Sequence, residues 1–296
     1  MKTRIKYLLI IFFTGLYLGC NNPQPTALVE DEDPLEIEVI NKNPAEPTSF
    51  GVDSTGLREN PARFTNVITV AGIKQTFQGI SFKSSFAQAV FFDKTKPLFG
   101  LNDKLIGYKT LTPGNIFFDN QRAQLREFRI RYRTTRDTSL GFRYILHKRA
   151  GFGDPFDFEY NSSINFRFVP DVSPSNSISF DIATPPEIFL NYRLAGKKSN
   201  KDLNLLLEWN AGFVKNFEIL ISIIDEPRNI VFPLYKIKTA DDGKFKMPKK
   251  LLEELVVRFD KVAFTLTRKF EKQQGNGISE LFVVSQSINS ISVDIP

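Results

Sequence analysis

The sequence predicts a mainly β protein, with two tandem β-sandwich domains carried behind a flexible acidic tether. Three observations predict it. From Pro61 onward, apolar residues recur mostly with period two, as on a strand with one face buried. Clusters of Gly, Pro, Asn and Asp punctuate those runs, as turns require. Phenylalanine is abundant, 29 of 296 residues, which supplies apolar surface for real cores and argues against disorder over most of the length.

The first twenty residues are of another kind. Lys2, Arg4 and Lys6 form a positive start, and Tyr7 to Leu18 is an almost wholly apolar run of twelve. Twelve residues at about 1.5 Å each cannot cross a hydrocarbon layer of about 30 Å, and the length suits the apolar region of a signal peptide. Gly19-Cys20 follows, with Leu16 and Leu18 just upstream. This ending resembles the lipobox of bacterial lipoproteins, with Tyr17 and Leu18 standing where the usual pattern has Leu and then Ala or Ser. The resemblance implies diacylglycerol on the Cys20 sulfur, cleavage after Gly19, and acylation of the new amine, palmitate being the expected acid. Cys20 is the only cysteine, so an intramolecular disulfide is excluded. Multiple acyl chains, at about 0.8 kcal/mol per buried CH₂, make such an anchor stable.

Residues 21–60 read as the tether. They hold Pro23, Pro25, Pro34, Pro44 and Pro47, with nine acidic and two basic residues. Such a segment buries too little apolar surface to offset its ordering entropy, and as a coil it spans about 35 Å. Leu35, Ile37 and Val39 alternate with Glu36 and Glu38, enough for one short strand. With +6 overall and +3 in the first twenty residues, the body from 61 to 296 carries +10. A basic body favours an acidic partner.

Within 61–185, the first expected sandwich, Phe128, Ile130 and Tyr132 alternate with arginines. Phe142, Tyr144 and Leu146 repeat the pattern, as do Phe158-Glu159-Tyr160, Ile164 to Phe168 and Ile178 to Ile182. Thr184-Pro185-Pro186 marks the expected boundary, because a proline pair cannot sit inside a central strand. Within 186–296 come Ile188 to Tyr192; Leu203, Leu205, Leu207 and Trp209; Phe217 to Ile223; Phe232 to Ile237; Val262 to Leu266; Leu281 to Val284; and Ile288 to Ile295. Seven runs in that length fit a sandwich. One short helix is expected after Pro248, with Leu251, Leu255 and Phe259 on one face.

The proline pair, the strand closing on Trp209, and Asp241-Asp242-Gly243-Lys244-Phe245-Lys246-Met247-Pro248 before a Leu-rich turn carry a second resemblance. Residues 186–296 resemble an Ig-like or fibronectin-like β-sandwich at the ends of many bacterial lipoproteins. The resemblance implies a fold and no activity.

Residues able to do chemistry are few. The single histidine, His147, ends a strand beside Lys148 and Arg149. One histidine with no second histidine and no mature thiol makes no ordinary zinc site, and no nucleophile elbow is present. Two carboxylates suffice for glycoside hydrolysis, and Glu159, Glu187, Glu208, Asp225 and Glu226 are available. Trp209 falls in phase with Leu203, Leu205 and Leu207 and so belongs to a core. Asp241-Asp242-Gly243, followed by Lys244 and Lys246, reads as a turn. No metal or cofactor is expected.

The sharpest feature is basic. If two strands pair as a hairpin across Thr134 to Gly141, one face carries Arg129, Arg131, Arg133, Arg143, His147 and Arg149, with Glu127 the one acid. That register sets Arg133 opposite Arg143 and Glu127 opposite Arg149. Like charges facing each other destabilise a sheet, a bound polyanion relieves them, and arginine forks suit phosphate or carboxylate. A solvated face with acids supplied from elsewhere is the plainer reading.

The expected function is a non-catalytic envelope lipoprotein, a binding or assembly module in the outer rather than the inner membrane. Its expected partners are the membrane through its lipid, an anionic glycan, lipopolysaccharide or another envelope protein, and not nucleic acid. The alternative is a carboxylate-dependent envelope hydrolase acting on glycans. A spacer without ligand is the third reading.

Overall fold

The computed structural model describes residues 36–39, 66–77, 79–99, 103, 105–132, 136–200, 202–225, 230–275 and 280–296. The first strands among them are β1 (Glu36–Val39), β2 (Asn66–Phe77), β3 (Ile80–Phe99), β4 (Leu105–Leu111), β5 (Gly114–Phe118) and β6 (Gln121–Arg122). Next come β7 (Gln124–Tyr132), β8 (Arg136–Arg149), β9 (Phe152–Gly153), β10 (Ser163–Pro170), β11 (Ile178–Ala183) and β12 (Asn191–Ala195). The last are β13 (Asn204–Glu208), β14 (Asn216–Asp225), β15 (Ile230–Lys238), β16 (Lys244–Lys246), β17 (Lys261–Gly275) and β18 (Glu280–Asp294). One α-helix, α1 (Lys249–Arg258), lies among the described residues. The chain is mainly β, as the alternation predicts. The expected signal segment and, apart from β1, the expected tether lie outside the described residues.

Eleven strands form one large sheet in the order β1-β15-β14-β17-β18-β2-β3-β8-β7, with β4 beside β3 and β9 beside β8. Smaller sheets run β11-β10-β5-β6 and β12-β13-β16. The strand expected within 21–60 is β1, antiparallel to β15 from Glu36↔Lys238 to Val39↔Tyr235. The expected boundary at Thr184-Pro185-Pro186 falls between β11 and β12, and the large sheet runs across it. There β18 lies parallel to β2, from Leu281↔Asn66 to Ile291↔Thr76.

One core fills the space between the large sheet and β11-β10-β5-β6. Ile68, Val70, Ala87, Ala89, Phe91, Tyr144 and Leu146 meet Ile116, Phe118, Ile164, Phe166 and Ile182, and β18 adds Leu281 and Val283. The expected strand at Phe158-Glu159-Tyr160 is instead an irregular segment, with Phe156 and Phe158 buried in the same core. Three alternating residues give burial on one side without a partner strand, so the period alone does not make a ladder. Gly72 of β2 accommodates this segment. A Cβ there would sit 2.5 Å from the Phe158 ring and 2.6 Å from the Tyr160 hydroxyl.

In the second half, Leu203, Leu205, Leu207 and Trp209 are all buried, as their spacing predicts. Phe217, Ile219 and Ile221 of β14 are buried too, and Trp209 stacks on Phe217 with ring centroids 4.8 Å apart. Pro248 stands at the start of α1, which buries Leu251, Leu252 and Leu255. Phe259 caps its end rather than extending its apolar face.

At the centre of this half is a fully buried ion pair. Arg268 Nε donates to Asp241 Oδ2 at 2.8 Å, and neither side chain is exposed. A second guanidinium nitrogen donates to Asp241 Oδ1 at 3.0 Å and to the Asn210 carbonyl, and the third to the carbonyls of Pro186 and Glu187. Asp241 also accepts from Trp209 Nε1 at 2.8 Å. Every polar group is paired, which is what makes such a charge tolerable away from water. Arg268→Met removes one partner and leaves a buried carboxylate. The expected loss is about 3–5 kcal/mol in urea unfolding. Arg193→Ala, which breaks the exposed pair with Glu208, is expected to cost less than about 1 kcal/mol.

Candidate functional site

The hairpin of β7 and β8 does not take the expected register. Arg143 lies opposite Arg126, not Arg133, and Glu127 lies opposite Phe142, not Arg149. The register shifts between Phe128 and Arg129, where Phe128 pairs with Gly141 and Arg129 with Ser139. Gly141 has φ +124°, and a Cβ there would meet Thr110 Oγ1 at 2.4 Å. Thr110 Oγ1 instead accepts from the Phe142 N–H at 2.7 Å and donates to the Leu140 carbonyl. Gly141 was expected in the connecting turn; it sits inside β8, where a bulge needs its positive φ.

The consequence is a change of face. Residues opposite each other in a pair point to the same side, and neighbours alternate. Arg126 and Phe128 therefore share the side of Arg143, and Arg129 points to the other side. There it pairs with Glu127 at 2.7 Å, and both side chains are substantially exposed. Hydrogen bonds from Arg129 and Ser139 hold the Glu127 carboxyl below its ordinary range. Arg131 lies in register with Asp137, and Arg133 lies outside the described residues. Of the five arginines expected on one face, Arg129 thus lies on the side opposite Arg143 and Arg149.

Arg143 and Arg149 remain together, with His147, along an open groove of about 450 Å³. Its floor is built row by row. Thr69 pairs with Gln88, and Gln88 with Ile145; Ala71 pairs with Phe86, and Phe86 with His147; Ile73 pairs with Ser84, and Ser84 with Arg149. Arg143 donates to Gln88 Oε1 at 3.2 Å and lies 5.2 Å from the centre of the Phe128 ring. Burial pushes its guanidinium below its ordinary value. Its Nε is buried without a hydrogen-bond partner, and so is the hydroxyl of Thr69, a residue only 1% exposed. Buried donors and acceptors are nearly always paired; these two are among eight such atoms in the described residues, and both lie beside this groove.

The other candidates are dispersed. The His147 side chain is exposed on the groove, and its backbone N–H donates to Asp154 Oδ2 at 2.9 Å. Glu159 is exposed, Glu208 pairs with Arg193, and Glu187 lies 3.5 Å from Lys83 and 3.9 Å from Lys74. Nothing is described of the Asp225 side chain or of Glu226. Asp241 is the buried anchor described above, and Gly243, with φ +98°, makes the expected turn. Sequence reasoning missed that role, because an Asp-Asp-Gly turn reads the same whether its first carboxylate is wet or buried. A second cavity of about 240 Å³, lined by Phe91, Phe166, Phe168, Val172, Ile178 and Leu281 among others, is apolar. Among the described residues, no cluster of His, Cys, Asp or Glu could hold a metal, and no helix is long and apolar enough to cross a membrane. Compared with protein-family models, curated proteins and solved structures, the chain matches none.

The face that holds the groove continues across β18 and β17. His147, Phe86, Ala71, Gln286 and Lys269 follow one another in register. There Lys269, only 4% exposed, bonds Glu218, and Lys236 approaches the same carboxylate at 3.3 Å. Burial works against charge on both partners. At Glu218 the two lysines outweigh it and hold the carboxyl below its ordinary value of 4.5; at Lys269 burial outweighs the carboxylate and pushes the ammonium down. Folded Glu218 thus binds its proton less readily than in the unfolded chain. Its contribution is complete above about pH 4.5 and is lost as pH falls through its lowered folded value. Urea titrations should therefore find Glu218→Gln less stable than the parent at pH 7, with the gap closing on acidification below pH 4.5.

Proposed function

We propose that this chain is a lipid-anchored envelope protein, exported, cut before Cys20, and held at the outer membrane by the acylated cysteine. Its body is a non-catalytic binding module for an anionic envelope ligand, a glycan or lipopolysaccharide. In this reading residues 61–185 and 186–296 are two sandwiches fused through one shared sheet. The signal segment and the lone cysteine support the address.

The observation that carries the binding reading is the pair of buried, unpartnered polar atoms, Thr69 Oγ1 and Arg143 Nε, beside a groove bearing His147 and Arg149. A phosphate or carboxylate there accepts from both guanidinium groups and offsets the desolvation of Arg143. It also separates Arg143 from Arg126, its like-charged neighbour across the ladder. The basic body favours encounter with such a ligand.

Two experiments test this. Arg143→Ala with Arg149→Ala should weaken lipopolysaccharide binding in calorimetry by about tenfold or more, since hydrogen bonds to charged groups contribute about 1.5–3 kcal/mol. Arg129→Ala, on the opposite face, should leave it unchanged; equal losses would sink the groove assignment. Mass spectrometry of membrane-extracted protein should find an acylated peptide beginning at Cys20, absent from Cys20→Ser.

A further inference from the structure

The apolar cavity of about 240 Å³ lies between the large sheet and β10 with β11. It is on the face opposite the groove, since Phe91 alternates with the groove residues Phe86 and Gln88 along β3. Its deep wall is core: Phe91 of β3, Phe166 of β10 and Leu281 of β18 are all buried. Phe168 of β10 stands half-buried beside them, its ring centre 5.7 Å from that of Phe91. At the other end the cavity opens on the connection between β10 and β11. There Val172 is 94% exposed, and Ser173 and Asn176 supply a polar rim. The space is a slot, closed by core side chains and open to solvent at its mouth.

Packed interiors leave few voids of this size, because neighbouring side chains close them. Stiff backbone keeps this one open. Pro113 and Pro170 form part of its wall, each with φ set by its own ring. Pro170 lies opposite Gly114 in register, and a Cβ at Gly114 would sit 2.1 Å from the Val169 carbonyl oxygen. β5 and β10 are therefore already in contact there and cannot draw closer. The connection at the mouth is braced as well. The Asn176 N–H donates to the Ser173 carbonyl at 2.9 Å, Ser177 Oγ to the Pro174 carbonyl at 2.7 Å, and the Asp171 N–H to the Pro113 carbonyl at 3.1 Å. Val172 is left outside rather than folded in as a plug.

We propose that this cavity is a binding site for the alkyl chain of a neutral amphiphile, whose polar end rests at Ser173 and Asn176. The walls are apolar, and none of the described residues that line the cavity is ionisable. A charged group entering it would lose its water and find no opposite charge. Asp171, exposed in the same connection, adds repulsion against a carboxylate at the mouth. A dry apolar cavity of about 150 Å³ takes up benzene, so by proportion this one takes about eight to ten carbons. A protein partner would need an apolar or aromatic surface around the opening. Apart from Val172, the connection offers Pro174, Ser175, Asn176 and Ser177, all exposed and none aromatic. This inference goes beyond the groove reading and does not depend on what the groove holds.

The test is equilibrium dialysis of the full chain carrying Cys20→Ser, so that no acyl chain or detergent competes, against straight-chain primary alcohols from butanol to tetradecanol. Affinity should rise about fourfold with each added methylene. It should level off at about eight to ten carbons, where the cavity is full. Decanol should bind more tightly than decanoate. Ile178→Trp, which fills the slot from β11, should weaken decanol binding by about tenfold or more. Phe168→Ala, which enlarges the slot, should move the plateau to alcohols longer by about two carbons or more, a gain that a misfolded chain does not show. An affinity that climbs without a plateau, a plateau unmoved by Phe168→Ala, decanol bound equally by Ile178→Trp, or decanoate bound as tightly as decanol overturns the proposal. Arg143→Ala, which tests the groove, should bind decanol as the parent does; a loss there as large as that of Ile178→Trp would place the alcohol in the groove and overturn it too.

Discussion

Eleven residues of β18 lie parallel to β2, and both cores of the large sheet are built around that contact. Leu281 and Val283 look one way, into the core with Ile68 and Val70. Phe282 and Val284 look the other way, against Val67, Val90 and Phe128. On its second edge β18 pairs antiparallel with β17 through fifteen residues. A parallel neighbour cannot be supplied by a hairpin. Here it comes from the far end of the chain, so β2 finds its partner only after some two hundred intervening residues are in place. The loop-closure entropy of that pairing is offset only when both faces of β18 are buried at once. The two halves are tied together in the same step.

Two parts of the polar interior contrast. Around Arg268 and Asp241, donors and acceptors match, and the carbonyls of Pro186 and Glu187 at the expected boundary are drawn into the set. That completeness makes the cluster structural: it holds the start of the second half against the turn after β15. Along the groove the matching fails at Arg143 Nε and at the Thr69 hydroxyl. A fold able to satisfy one buried guanidinium through three residues' carbonyls and a carboxylate leaves another short of partners beside an open space. In the proposed reading, that difference separates a support from a binding surface.

Much of the strand pattern was legible in the sequence, and the reason is solvent. β10, β13, the start of β14 and the first half of β17 alternate because one face is wetter than the other. The first two-thirds of β2, the middle of β3 and much of β18 are buried on both faces, so their residues show no period, and the Ser285-Gln286-Ser287 stretch even interrupts the apolar run. Arginine at 143 and 149 was legible as charge, but its company was not. Which arginines share a face depends on register modulo two, and one bulge at Gly141 reverses the answer. Thr69 and Gln88 carry no signal of their own, because a lone polar residue in a strand reads as an outward one. Phe77 and Ile80 around Gly79 did carry one: large apolar residues at a glycine turn, where polar ones are the rule.

One face of the large sheet therefore changes character along its strands. Near Gln88 it is buried and polar, at Arg143 to Arg149 it is open and cationic, and at Phe77, Ile80, Phe82 and Phe152 it is exposed and apolar. The order follows from geometry. Where strands are central and long, side chains are covered; toward the hairpin ends, cover runs out. A soluble protein with no use for that end would be expected to make it polar, since exposed aromatics next to paired turns invite association. The cationic stretch lies between the buried row and the exposed apolar one, and the register of β2, β3 and β8 sets that order.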